Sequence, residues 1–241
     1  MTISERTLLP IILATLLTAA AAAKTPANYE VKAVDFDQIK ANVQNPNSEY
    51  FYPKLMQSFM SNDTLLDFEG YRHLYYGYTF QEDYNPFRES EFAHAVEDLY
   101  YHKGETYTRA QCDSIEKYAE KTLNDNIFDL RQMKFYIFAL KEKKKFARAA
   151  IRQYRLNHLV AAILSSGSGT QESPWVVISP SHEYDLLNIL GYVATQHEEL
   201  DNNIDHITVA KKGEKSPEGF YFDATRIFQV AAEKGLLQNE R

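Results

Sequence analysis

Apolar side chains recur at helical spacing through most of this sequence, and that period constrains the fold more than any other feature. After Pro53, whose fixed φ suits a first helical turn, Leu55, Met56, Phe59 and Met60 form one stripe. A second helix is expected from about Asp67 to Tyr76, ending at Gly77, and Asn85-Pro86 makes residues 81–88 a loop. Ser90 should cap a third helix carrying Phe92, Val96 and Leu99, with Gly104 at its stop. Thr108 and Gln111 have capping-box spacing ahead of Cys112, Ile115, Ala119 and Thr122. Leu130, Met133, Ile137 and Leu140 mark a fifth helix, and a sixth runs from about Lys144 to Leu164. Short turns join these stripes, so neighbours must pack as antiparallel pairs. Residues 108–164 also have the proportions of one tetratricopeptide-like unit.

The texture changes at Ser165-Ser-Gly-Ser-Gly-Thr170. Residues 175–179 read as a short buried strand, and Ser179-Pro180 as the start of a helix that stops at Gly191. Ile204 to Ala210 alternates, with Ile207 and Val209 on one side, and Phe220 to Phe222 returns as its neighbour. Asp223 can cap a last helix. The expected fold is therefore α+β and mainly α: a helical region over 24–164, whose first part, residues 24–47, is a lead-in with one turn around Phe36 to Ile39. A small strand-helix-strand-strand unit over 165–241 follows, either separate or packed with the helices as one domain.

The first residues carry an address. An apolar or small run from Leu8 to Ala23, ending Ala21-Ala22-Ala23, has the layout of a cleavable signal peptide over residues 1–23. It is too short to span a bilayer as a helix, and no second long apolar run exists. The expected location is periplasmic or secreted after cleavage near Ala23, with no membrane span. Only one cysteine is present, Cys112, so neither an internal disulfide nor a lipid-bearing cysteine after the cut is available. Cys112 itself reads as a small buried hydrophobe. A formal net charge of −7 argues against a nucleic-acid partner.

Chemistry-bearing patterns are sparse. His182-Glu-Tyr-Asp-Leu186 and His197-Glu-Glu-Leu-Asp201 lack the second histidine of a zinc-hydrolase motif, so neither implies a metal, and no cofactor is implied elsewhere. Gly167-Ser168-Gly169 follows a helix rather than a strand, which suits a helix stop and not a phosphate loop or nucleophile elbow. Lys141 to Lys145 reads as a solvated turn. Asp63-Thr64-Leu65 and Asp113-Ser114-Ile115 match a short O-glycosylation pattern, Thr64 being the better placed.

The densest feature is aromatic. The chain has 17 tyrosines, and Tyr71, Tyr75, Tyr76, Tyr78 and Tyr84 fall close together. Two readings stand. Either both faces of that helix are buried with hydroxyls bonded at the rim, or Arg72, His73, Tyr76, Tyr84 and Asn85 line a concave patch where rings stack on a sugar or peptide.

Tyr52-Pro-Lys-Leu-Met56, Glu69-Gly-Tyr-Arg-His-Leu-Tyr-Tyr-Gly-Tyr78 and Tyr84-Asn-Pro-Phe87, with Ile163 to Gly169, Val177-Ile-Ser179, Gly191-Tyr192 and Tyr221-Phe-Asp223, resemble the exported bacterial family catalogued as domain of unknown function 4919. The resemblance implies an exported product of a Gram-negative anaerobe and brings no catalytic positions with it. The expected function is a non-enzymatic binding or scaffold module of the cell envelope with a protein or glycan partner. The competing expectation is a hydrolase of an envelope polymer, using carboxylates gathered by folding from Glu69, Glu82, Asp83, Glu183 and Asp185.

Overall fold

The computed structural model describes residues 30–61, 65–101, 106–211, 213–214 and 216–237. The expected signal peptide, Thr64 and Gly104 lie outside the described residues. The amino-terminal helices α1 (Phe36–Gln44), α2 (Tyr52–Met60) and α3 (Phe68–Gly77) form one group. The turn expected at Phe36 to Ile39 is a longer helix because Asp35 accepts the Gln38 N–H at 2.9 Å and Ile39 and Val43 are buried. Asp67 caps α3 by accepting the Gly70 N–H at 2.7 Å. Gly77 ends α3 while keeping helical φ (−65°). Its role is close approach, since a Cβ there would sit 2.7 Å from Val43 Cγ1 on α1.

The next four helices are α4 (Ala93–Tyr100), α5 (Arg109–Asp125), α6 (Leu130–Glu142) and α7 (Phe146–Leu164). The capping box at Thr108 and Gln111 is formed in full. At α4 the expectation is corrected: Ser90 supplies no side-chain cap in the helical sense, and its hydroxyl instead donates to Asp125 Oδ2 at 2.6 Å on α5. Cys112 is buried and free, as a small hydrophobe would be. The lysine turn is less solvated than expected. Lys143, Lys145 and Arg148 converge on Glu116 of α5, which ties the α6–α7 turn to that helix.

Beyond α7 the chain forms β1 (Trp175–Val176), α8 (Ser181–Ile189), β2 (Ala194–Leu200), β3 (Ile204–Val209), β4 (Gly219–Asp223) and α9 (Thr225–Glu233). The sheet order is β1-β4-β3-β2, with β1 parallel to β4 and the other pairs antiparallel. Strand β2 was not expected. It lies at the sheet edge, and its central residues Thr195 to Glu199 are exposed, so no apolar alternation announces it. The Gly167-Ser168-Gly169 turn seats Trp175, whose Nε1 donates to Gly167 O at 3.1 Å. A Cβ on Gly167 would strike the Ser173 and Pro174 carbonyls. Two capping expectations change in detail. Ser179 does not cap α8; its hydroxyl donates to Pro86 O at 3.0 Å. Asp223 accepts the Thr225 N–H at 2.8 Å from one residue before the cap position. One continuous apolar cluster includes Tyr75 and Phe128 from the helical region and Leu186, Ile207 and Phe222 from the sheet side.

Candidate functional site

The tyrosine-rich segment is an interior fastener. Tyr76 is fully buried, and its hydroxyl faces Ala162 O at 3.3 Å and Val176 O at 3.2 Å. Arg72 is buried over the Tyr76 ring, donates to the Ser165 hydroxyl, and reaches Lys32 O at 3.1 Å. His73 donates through Nδ1 to Glu69 O at 2.8 Å and accepts from the Asn42 amide at 3.0 Å while stacking on Tyr50. That pairing leaves no place for a second ring proton, and burial lowers its pKa. Tyr84 donates to Ile178 O at 2.7 Å, and Asn85 Oδ1 accepts the Phe87 N–H in a local turn. The five residues do not converge on an open patch; four are buried and Asn85 sits at the loop.

The first turn of α8 points polar groups in three directions, because successive helical residues are turned by about 100°. His182 points inward. Its Nε2 donates to Phe128 O at 3.0 Å and its Nδ1 accepts the Tyr75 hydroxyl at 2.7 Å, a neutral tautomer that burial supports by pushing the pKa down to about 4. Asp185 points toward α6, where Arg131 Nε donates to it at 2.7 Å and the same guanidinium reaches Glu97 on α4 at 2.8 Å. Glu183 points toward the sheet. Burial, with Asp205 of β3 beside it, pushes the Glu183 carboxyl up to about 9, and its Oε1 has no hydrogen-bond partner.

On the Asp185 side lies an open cleft of about 310 Å³ between the 86–90 loop, α4, α6 and α8. Its polar lining includes His94, Glu97, Asp129, Arg131, Ser181 and Asp185. Asp129 caps α6 by accepting the Gln132 N–H at 2.9 Å, yet burial, aided by Asp185, raises its pKa to about 7. Gln132, also on the cleft wall, has a buried Oε1 with no partner. The hydroxyls of Ser179 and Ser181 bond to each other at 3.1 Å, and Arg131 is held by its two carboxylates.

On the Glu183 side the sheet register does the assembling. Asp205 faces Glu199 across β2 and β3, and His197 faces Ile207, which puts His197, Glu199 and Asp205 on one face. His197 Nε2 approaches Asp205 Oδ1 at 3.1 Å. His197 and Asp201, at the two ends of the second incomplete zinc motif, do not share a helical face: His197 is in strand β2, which ends at Leu200. Of the carboxylates expected to gather, Asp185 enters the cleft and Glu183 the sheet-side cluster. Glu69, Glu82 and Asp83 join neither.

Sequence reasoning missed Asp129, Arg131, His94, Glu97 and Asp205. One signal was available: placing Ile207 and Val209 on the buried face puts Asp205 there as well, and a buried strand acid needs a reason. The cleft residues carry no such local mark, since α4, α6 and α8 meet only in the fold.

No helix among the described residues is long and apolar enough to cross a membrane. No curated protein and no solved structure matches the chain. The sequence model of the family described as domain of unknown function (DUF4919) matches residues 37–233, which covers α1 through α9, and the chain belongs to that family.

Proposed function

We propose that this chain is an exported, non-enzymatic binding module of the bacterial cell envelope, taking a polar protein or glycan partner in the cleft between α4, α6 and α8. One observation carries the reading: the cleft's charges are already fixed in place. Arg131 holds Asp185 and Glu97 in a bridged set, which supplies preorganised acceptors and donors and commits both carboxylates to an arginine rather than to proton transfer. The exposed rim residues His94 and Ser181 add adaptable polar contacts. Export rests on the Leu8 to Ala23 run and would be checked by the intact mass of native protein, expected to begin near Lys24.

Calorimetric titration of the processed chain with envelope saccharides and with peptides tests the binding role. Saturable binding to one class, weakened at least about tenfold in a His94→Ala, Ser181→Ala pair, is expected. If neither class saturates, the reading is wrong.

A hydrolytic reading has one observation in its favour, the Asp129 carboxyl raised to about 7 at the cleft, where a protonated acid could serve a leaving group. Release of fragments from an envelope polymer, abolished in Asp129→Asn, would select it over binding alone.

A further inference from the structure

We propose that Glu183, His197 and Asp205 form a binding site for a divalent transition-metal ion, with Zn²⁺ the ion that best suits the donor set. One ligand atom from each residue lies within 4.8 Å of the other two. The three come from α8, β2 and β3, so the set is assembled by tertiary structure on the opposite side of α8 from the cleft.

Zn–N and Zn–O bonds of about 2.0–2.2 Å in a tetrahedral shell place ligand atoms some 3.3–3.5 Å apart. His197 and Asp205 stand slightly closer than that, at 3.1 Å. With the three atoms within 4.8 Å of one another, closing the third vertex needs a shift of at most about 1.5 Å, within reach of a side-chain adjustment because His197 is on an edge strand with a side chain 34% exposed. One imidazole with two carboxylates is a borderline donor set that suits Zn²⁺ better than an oxygen-seeking ion.

The charge arrangement points the same way. Glu183 is 2% exposed and Asp205 8% exposed. No lysine or arginine among the described residues pairs with either, whereas Asp185, two positions on, has Arg131. Glu183 Oε1 is buried without a hydrogen-bond partner and belongs to the group that faces His197 and Asp205. Two adjacent buried carboxyls with no lysine or arginine beside them are costly when both are charged, and a bound cation, like a shared proton, relieves that cost. Glu199 faces Asp205 in the register, and the Tyr184 ring lies edge-on to His197 at 6.1 Å. The outer side is exposed, which leaves room for water to complete the shell.

The test uses the full processed chain stripped with a chelator, titrated with Zn²⁺ alone and in parallel with Ca²⁺. One equivalent of Zn²⁺ is expected to bind and raise the melting temperature. His197→Ala, which removes an exposed side chain and should fold normally, is expected to weaken binding at least about tenfold and abolish the thermal shift. Asp205→Asn should do the same, and Co²⁺ in place of Zn²⁺ should give a visible ligand-field spectrum that His197→Ala changes. Absence of one-equivalent binding, wild-type affinity in His197→Ala, or Ca²⁺ binding as tightly as Zn²⁺ would each overturn the proposal.

Discussion

Helices α3 and α8 both carry several polar side chains into the protein, and they use them differently. In α3, the polar atoms of Arg72, His73, Tyr75 and Tyr76 meet protein partners: a carbonyl, a hydroxyl, an amide or another ring. In α8, His182 is satisfied in the same manner, while Asp185 depends on one arginine and Glu183 keeps an unpartnered oxygen. A fully paired polar group stiffens a core and fixes its register; a partly paired one holds free energy that a ligand can recover. The polar groups of the tyrosine segment are therefore spent on internal bonding, and of these two helices it is α8 that carries the under-paired groups, one on each flank.

The strongest way to break this contrast is to remove the clasp that both helices share. His182→Ala should cost about 3 kcal/mol in urea unfolding, since it opens a cavity, takes away the acceptor of the Tyr75 hydroxyl proton and leaves the Phe128 carbonyl without the imidazole donor. A loss below about 1 kcal/mol would mean the clasp is incidental.

Arg131→Ala should cost about 2 kcal/mol, less than a fully buried pair because the arginine is partly exposed, by leaving Asp185 ionised and unpaired. Much of that should return in the Arg131→Ala, Asp185→Asn double variant. Failure of the second change to compensate would show that Arg131 acts through packing and not through charge.

Asp129 sharpens the comparison through pH. Its folded pKa is raised to about 7, so between about pH 4 and pH 7 the folded state binds more protons than the unfolded one, and stability falls as pH rises across that window. Asp129→Asn keeps the helix cap and removes the penalty. Denaturant midpoints should show the variant about 1–2 kcal/mol more stable than the parent at pH 7.5 and level with it near pH 4. A parallel pH dependence in the two proteins would assign the slope to another group.

The smallest effect belongs to α3. Tyr76→Phe keeps the ring among its neighbours and deletes a hydroxyl shared by two carbonyls, so about 1 kcal/mol of stability should be lost with no change in any ligand titration. An altered binding isotherm would return the tyrosine segment to the site.

How much of this was legible depends on how local the signal is. Asp67 and the Thr108 and Gln111 box fall at helix starts expected from the pattern, because a cap and the N–H it serves are only a few residues apart. The tyrosine segment was visible as a feature but ambiguous in role, since a ring with a polar tip fits a core and a wet surface alike. Its burial became definite only when α7 and β1 supplied the carbonyls that Tyr76 meets. The cleft was hidden because Glu97, Arg131 and Asp185 stand far apart in the chain and each reads as an ordinary surface charge on its own helix.

By itself, then, the sequence determined the helical segments, several of their ends and the α+β order, since side-chain period and capping are written within a few residues of each other. Tertiary structure alone decided strand β2, because an edge strand is held by backbone hydrogen bonds that every residue can make and its exposed side chains carry no apolar trace. It also decided that Glu183 and Asp185, two positions apart on one helix, answer to different neighbours. A helix sets the angle between two side chains, but what stands at the end of each is set by how distant elements pack.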